Sequence, residues 1–272
     1  MAVPSSESGW RGIVPMTSGA MSSQEYEAWY DAHAWSPAPA SGLTIKSDLD
    51  PAAWIEPRLR ARSYRVGMSA PQGFEAYARI FFPFTGEEIE ADGAVSGREY
   101  VTWTETAQGN GRVAHALMER ETILAPGQEV PRPVDDLAGE QFDALLPVLT
   151  RHTTSAHGWF LLWDGFGNLN QHVFEPQPKV RHPMRNFYLL GGALDTYRRL
   201  PHDPNYWWPD DQAWCLCTDT DFYWAYIAGS AACIREVLSV PQLDAYETNP
   251  QYPAHSGMDT VNDPHGTIPR MP

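Results

Sequence analysis

Residues 207–238 read WWPDDQAWCLCTDTDFYWAYIAGSAACIREVL, a stretch that gathers two acidic pairs, a dense run of aromatic rings and all three cysteines of the chain. Tyr206, Trp207 and Trp208 lead into Pro209, Asp210 and Asp211, where proline presets φ and aspartate bonds its own backbone, so a turn is expected. Residues 213–218 form a short, nearly continuous apolar run. Such a run predicts a strand covered on both faces, with Trp214 and Leu216 on one side and Cys215 and Cys217 on the other. A polar connection over 218–221 leads to a second strand over 222–227. That strand has Phe222, Trp224 and Tyr226 on one face and Tyr223, Ala225 and Ile227 on the other, so the pair reads as a hairpin. Gly229 ends it, Ser230 is a good helix N-cap, and Ile234, Val237 and Leu238 keep helical spacing before Pro241. The β-β-α unit should be the centre of the core.

Composition narrows the function. The chain has 272 residues, with 34 acidic against 19 basic side chains and a formal net charge of −15. A chain of this length buries roughly three quarters of its unfolded surface, and with 11 Trp, 12 Tyr and 10 Phe that core should be aromatic-rich. The acidic balance opposes nucleic acid and anionic membranes, whose binding is driven by Lys and Arg. The densest basic cluster, Arg58, Arg60, Arg62 and Arg65, has Glu56 beside it. The N-terminal residues carry no signal-like apolar segment, and no run approaches the roughly 18 apolar residues of a membrane span. Cys215, Cys217 and Cys233 are an odd set in apolar surroundings, which reads as buried reduced thiols in a cytosolic protein.

Three regions follow. Residues 1–49 read as a flexible extension with one short helix, where Ser22 and Glu25 have capping-box spacing ahead of Tyr26, Trp29, Tyr30 and His33. Residues 50–245 read as one domain and residues 246–272 as an extended tail. Asp50 and Pro51 start a short helix. GFEAYARIFFPF predicts an edge-proximal strand with Ala76, Ala78, Ile80 and Phe82 on one face. Residues 87–97 read as a loop, and Thr102 with Glu105 caps a short helix over 103–108. Phe142, Leu145, Leu146 and Leu149 predict a helix over about 136–150, kinked or divided at Pro147. Strands follow at 158–163, 179–181 and 187–190, then a turn at Gly191 and Gly192 and a helix over 193–200. The fold class is α+β: a mainly antiparallel mixed sheet of about five or six strands with helices on one side.

WWPDDQAWC, TDTD and GSAACIREVL, together with GFEAYARIFFP, VTWTETAQGNGRVAHALME, LTRHTTSAHGWFLLWDGFG and NFYLLGGAL, resemble a group of actinobacterial proteins of unassigned activity. The resemblance runs over about 73–262 and implies membership rather than chemistry. Where that group usually has a histidine before the proline of the first strand, this chain has Phe82. The arrangement of sheet and helices is also similar, at the level of architecture, to immunity proteins of the SMI1/KNR4 type.

Few residues carry chemistry. Asp219 and Asp221, two apart on extended backbone, would stand about 7 Å apart on one face at roughly 3.3 Å per residue. That spacing suits a shared cation or an acid and base pair, or simply a hairpin connection. Asp210 and Asp211 invite the same alternatives. Trp207, Trp208, Tyr206 and Tyr223 could wall a ligand site, and adjacent Trp207 and Trp208 must point to opposite faces, which predicts one of them exposed or filling a cleft. Arg185 is a partner for Asp210 or Asp211. No G-x-S-x-G, P-loop or zinc spacing occurs, and GNGRVA follows a helix rather than a strand, so no cofactor and no metal is expected. The leading expectation is a cytosolic binding module, accessory or immunity-like, holding a basic protein or a small molecule on the acidic and aromatic surface around 207–221. The alternative is a hydrolytic or metal-assisted enzyme with Asp219 and Asp221 at its site and Trp208 and Tyr223 lining the cleft.

Overall fold

The computed structural model describes residues 30, 33–60, 63–89, 95–128, 133–134, 137 and 139–268, with backbone alone at 85–89 and 95–99. The N-terminal capping-box reading lies outside the described residues apart from Tyr30 and His33.

An α+β fold is formed around a nine-stranded sheet, larger than the five or six strands expected. Its strands are β1 (Thr44–Ile45), β2 (Ala76–Phe81), β5 (His157–Trp163), β6 (Val180–Arg181), β7 (Asn186–Ala193), β8 (Tyr206–Pro209), β9 (Trp214–Cys217), β10 (Trp224–Gly229) and β11 (Asp244–Thr248). They lie in the order β1-β7-β5-β8-β9-β10-β2-β11, with β6 pairing the same β7 as β1. All these pairings are antiparallel, so the sheet is not mixed. A separate hairpin joins β3 (Phe84–Ile89) to β4 (Val95–Val101), where a loop was expected.

Both faces of the sheet are covered. Trp207, Trp214, Leu216, Ala225 and Ile227 point to one face, where they meet α3 (Gly139–Arg151) and α4 (Ala231–Leu238) through Phe142, Leu145, Leu149, Ile234 and Val237. Tyr206, Trp208, Cys215, Cys217 and Tyr226 point to the other face, against Ile55, Val66, Ala70 and Ala254. The long helices therefore sit on one side, as expected, while short 3-10 turns and the C-terminal segment cover the other. Helices α1 (Trp103–Gly109) and α2 (Arg120–Ile123) close a third cluster around Phe81, Phe84 and Trp103. Thr102 and Glu105 form the capping box of α1, and α3 runs through Pro147, which is exposed.

Several local expectations change. Gly191 and Gly192 continue β7 instead of turning, paired with Trp159 and Gly158 of β5, and a Cβ at Gly192 would stand 2.7 Å from the Gly42 carbonyl oxygen. Only glycine lets the neighbouring chain approach so closely. Residues 194–199 are a 3-10 helix. Within the stretch read as an N-terminal extension, Leu43 is buried and β1 joins the sheet; within the stretch read as a tail, β11 ends at Thr248 and Met258 and Asp259 are buried. Arg79, in β2, is buried with its guanidinium 3.6 Å from the Trp224 ring centre and 2.6 Å from the Ala116 carbonyl oxygen. No described helix is long and apolar enough to cross a membrane.

Candidate functional site

The antiparallel order sends the two acidic pairs to opposite ends of the sheet. The turn between β8 and β9 carries Asp210 and Asp211, and the turn between β9 and β10 carries Asp219 and Asp221.

At the first end the carboxylates are latches. Asp211 accepts from the Thr153 hydroxyl at 2.8 Å, the Thr154 amide at 2.8 Å and the Thr154 hydroxyl at 2.9 Å. Burial pushes this carboxyl up, but those bonds outweigh it and hold the group below its ordinary range. Asp210 meets His157 Nδ1 at 2.8 Å and Ser155 Oγ at 3.0 Å. The grouping of Ser155 and His157 with Asp210 escaped the sequence reading, since 53 residues separate the histidine from its aspartate. The serine hydroxyl is engaged by Asp210 and by the His157 carbonyl oxygen at 2.8 Å rather than by the imidazole, so it is not set up as a nucleophile. The cluster fixes the 153–157 loop onto the turn.

At the other end the backbone is not extended across Asp219 and Asp221. Asp219 Oδ1 accepts the Asp221 amide at 3.0 Å, and its carbonyl oxygen accepts the Phe222 amide at 3.0 Å, an Asx turn closing the hairpin. Arg185, at the start of β7, pairs with this turn and not with Asp210 or Asp211. Its Nη2 lies 3.0 Å from Asp219 Oδ1 and also bonds Asp221, its Nη1 bonds the Thr220 hydroxyl, and its guanidinium sits 4.6 Å from the Trp163 ring centre.

These residues frame a cleft of about 330 Å³. Its walls include Arg185, Asp219, Asp221, Tyr206, Phe187 and Phe222, together with Tyr64, Met68, Met184 and His255. Met184 and Tyr64, exposed at 55% and 67%, both line this cleft. Asp219 is 25% exposed and its carboxyl is pushed up by burial; the Asp221 amide and Arg185 pull it partly back. His182 is driven down to about 4 by burial and by Arg185, so its imidazole is neutral near pH 7. Its Nδ1 accepts the Met184 amide at 3.2 Å, which places the ring proton on Nε2, 3.2 Å from the Tyr206 hydroxyl. Burial raises the Tyr206 phenol well above its ordinary value, so it donates hydrogen bonds without ionising.

Of the expected site residues, Arg185, Asp219 and Asp221 come together here. Trp207 and Trp208 do point to opposite faces, but both are buried, at 0% and 1% exposure, because each face has its own covering layer. Tyr223 turns away from the cleft toward Arg120, 5.3 Å from its ring centre, and Phe222 takes the place at the wall. The sequence reading also missed His182, Tyr64 and Met184, whose neighbours carry no motif. All three cysteines are buried and free, with Cys215 and Cys217 Sγ atoms 3.7 Å apart. Among the described residues no group of three or more His, Cys, Asp or Glu side chains could hold a metal ion. The chain matches no protein-family model, no curated protein and no solved structure.

Proposed function

We propose that this chain is a binding module, accessory or immunity-like in role, which holds a basic partner at the cleft framed by Arg185, Asp219 and Asp221. The observation that carries the reading is the state of the two carboxylates. One guanidinium binds both in a cleft whose lining also includes Phe187, Phe222, Met68 and Met184. Two carboxylates against one guanidinium leave a local negative charge beside apolar surface, a surface suited to recognition. The net charge of −15 adds long-range steering of a basic partner and disfavours nucleic acid. Three buried free thiols suit a reducing, cytosolic setting.

A hydrolytic or metal-assisted reading draws on one observation, that burial raises the Asp219 carboxyl inside a concave site. It requires Asp219 or Asp221 to leave Arg185 and act on a substrate, while the neutral His182 is already engaged by Tyr206 and the Met184 amide. The bound state of both groups supports the binding module instead.

Affinity capture at low salt tests the choice. The reading expects a partner retained by the native chain and by Asp210→Asn/Asp211→Asn, and lost from Asp219→Asn/Asp221→Asn. Equal retention by both double variants would place recognition elsewhere, and turnover of a hydrolysable substrate abolished by Asp219→Asn would favour the enzyme.

A further inference from the structure

The C-terminal segment beyond β11 supplies one wall of the cleft and is held there by a clasp built elsewhere. Ala254, His255 and Ser256 line the cleft. The residues that follow are fixed by the run 113–122. Glu119 Oε1 accepts the Gly257 amide at 2.5 Å and the Met258 amide at 3.1 Å, His115 Nε2 lies 2.9 Å from Asp259 Oδ1, and the Thr122 hydroxyl donates to Asp259 Oδ2. His115 Nδ1 accepts the Leu117 amide at 3.2 Å, so Nε2 carries the proton that Asp259 receives. Asn262 completes the clasp: it accepts the Val113 amide at 2.9 Å and donates to the Val113 carbonyl oxygen at 3.0 Å and to Asp259 at 2.9 Å.

Two observations set this segment apart from the core energetically. Residues 249–268 contain no helix and no strand, with a single bridge from Pro253 to Arg65, and Ala254 and Met258 are their only buried apolar side chains. A layer held by side-chain bonds with so little apolar burial opens at a lower free energy than the sheet beneath it. The clasp also rests on a charge that its closure leaves poorly satisfied. Arg79 is 1% exposed, and its Nη1 reaches the Ala116 carbonyl oxygen, within the run 113–122, at 2.6 Å. Its Nε and Nη2 meet no acceptor among the described residues. Burying unpaired donors of a cation is costly, and lifting the cover returns them to water.

From this we infer that residues 254–263 are a strap, clasped at Asp259, which opens as one unit while the sheet stays folded, and that its opening removes the 254–256 wall and so gates the cleft. The motion stands by itself; its role in recognition rests on the reading of the cleft as the binding site. Amide hydrogen exchange of the full chain tests both. The reporters are the Ala254 amide, bonded to the Tyr64 carbonyl oxygen, and the Gly257 and Met258 amides on Glu119. Asp259→Ala, and the milder Asn262→Ala, should each speed all three by a common factor of about ten or more, with the amides of β10 unchanged. Asp211→Asn should alter none of them. Reporters that accelerate no more than β10, or by unrelated factors, would overturn the strap. N-acetyl-arginine methylamide, a basic probe, at roughly ten times its Kd should slow the three reporters of the native chain about tenfold, because a ligand that needs the closed wall depletes the open state by mass action. Reporters indifferent to the bound probe would overturn the gating alone. A probe that does not bind would overturn the gating together with the reading of the cleft, while the variants still decide the strap.

Discussion

Arg185 Nη2 stands 3.0 Å from Asp219 Oδ1, joining the start of β7 to the turn between β9 and β10. Burial raises this carboxyl and Arg185 is one of the groups that pull it back, so Arg185→Met should push it higher still. A carboxyl raised in the folded state binds its proton more tightly there than in the unfolded chain. Its contribution to stability is then present at low pH and lost as pH rises through the folded value. Carbon-detected carboxyl titration should show Asp219 moving upward in Arg185→Met. Its share of the stability loss should extend to correspondingly higher pH.

His182 has the opposite linkage. Its folded value is depressed to about 4 from 6.5, so the stability it contributes is complete above 6.5 and is lost as pH falls through about 4. Denaturation midpoints between those pH values should fall on acidification, and His182→Gln should flatten that part of the curve. An unchanged slope in the variant would contradict the neutral, Tyr206-bonded imidazole.

The adjacent tryptophans give a packing test. Trp207 and Trp208 are both buried, on opposite faces of β8. Replacing either with alanine should cost about 3–5 kcal/mol in denaturant unfolding, the usual range for a deleted buried aromatic. Tyr64→Gly, at an exposed and left-handed position, should cost little or stabilise. If only one tryptophan variant were strongly destabilised, the two-sided core would be wrong.

Gly192 tests why β7 runs straight where a turn was expected. A Cβ there would stand 2.7 Å from the Gly42 carbonyl oxygen and 2.9 Å from Thr196 Oγ1. Gly192→Ala should therefore destabilise by about 1–3 kcal/mol, in the range of core overpacking, with hydrogen exchange rising first at 43–46.

What was legible in the sequence follows from what is local. The alternation of Trp214 and Leu216 against Cys215 and Cys217, the faces of 224–227 and the Ser230 cap all depend on strand and helix periods, and the structure reproduces them, whereas Phe222 and Tyr223, expected in the same strand, precede β10. The β2 face of Ala78, Ile80 and Phe82 is likewise as expected, with β2 second from the edge. The count of strands was not legible: the strand at 179–181 was expected and is β6, but β1 and β8 are two and four residues long and β11 buries its polar end residues Asp244 and Thr248 instead of an alternating apolar set. Exposure of Trp207 or Trp208 was misjudged because the second covering layer consists of 3-10 turns without a periodic apolar stripe. At the site, Asp219, Asp221 and Arg185 were singled out individually. Their union across 34 residues, and the joining of His182, Tyr64 and Met184, depends on sheet order, which no local pattern encodes.

The most direct test of the account is location. Amide resonances of the full chain, followed during titration with N-acetyl-arginine methylamide, should shift at 64–69, 182–187, 219–222 and 254–256, and stay fixed at 153–157 and 210–213. Shifts confined to the Asp210 and Asp211 end, or spread evenly over the acidic surface, would contradict a recognition cleft at Arg185, Asp219 and Asp221.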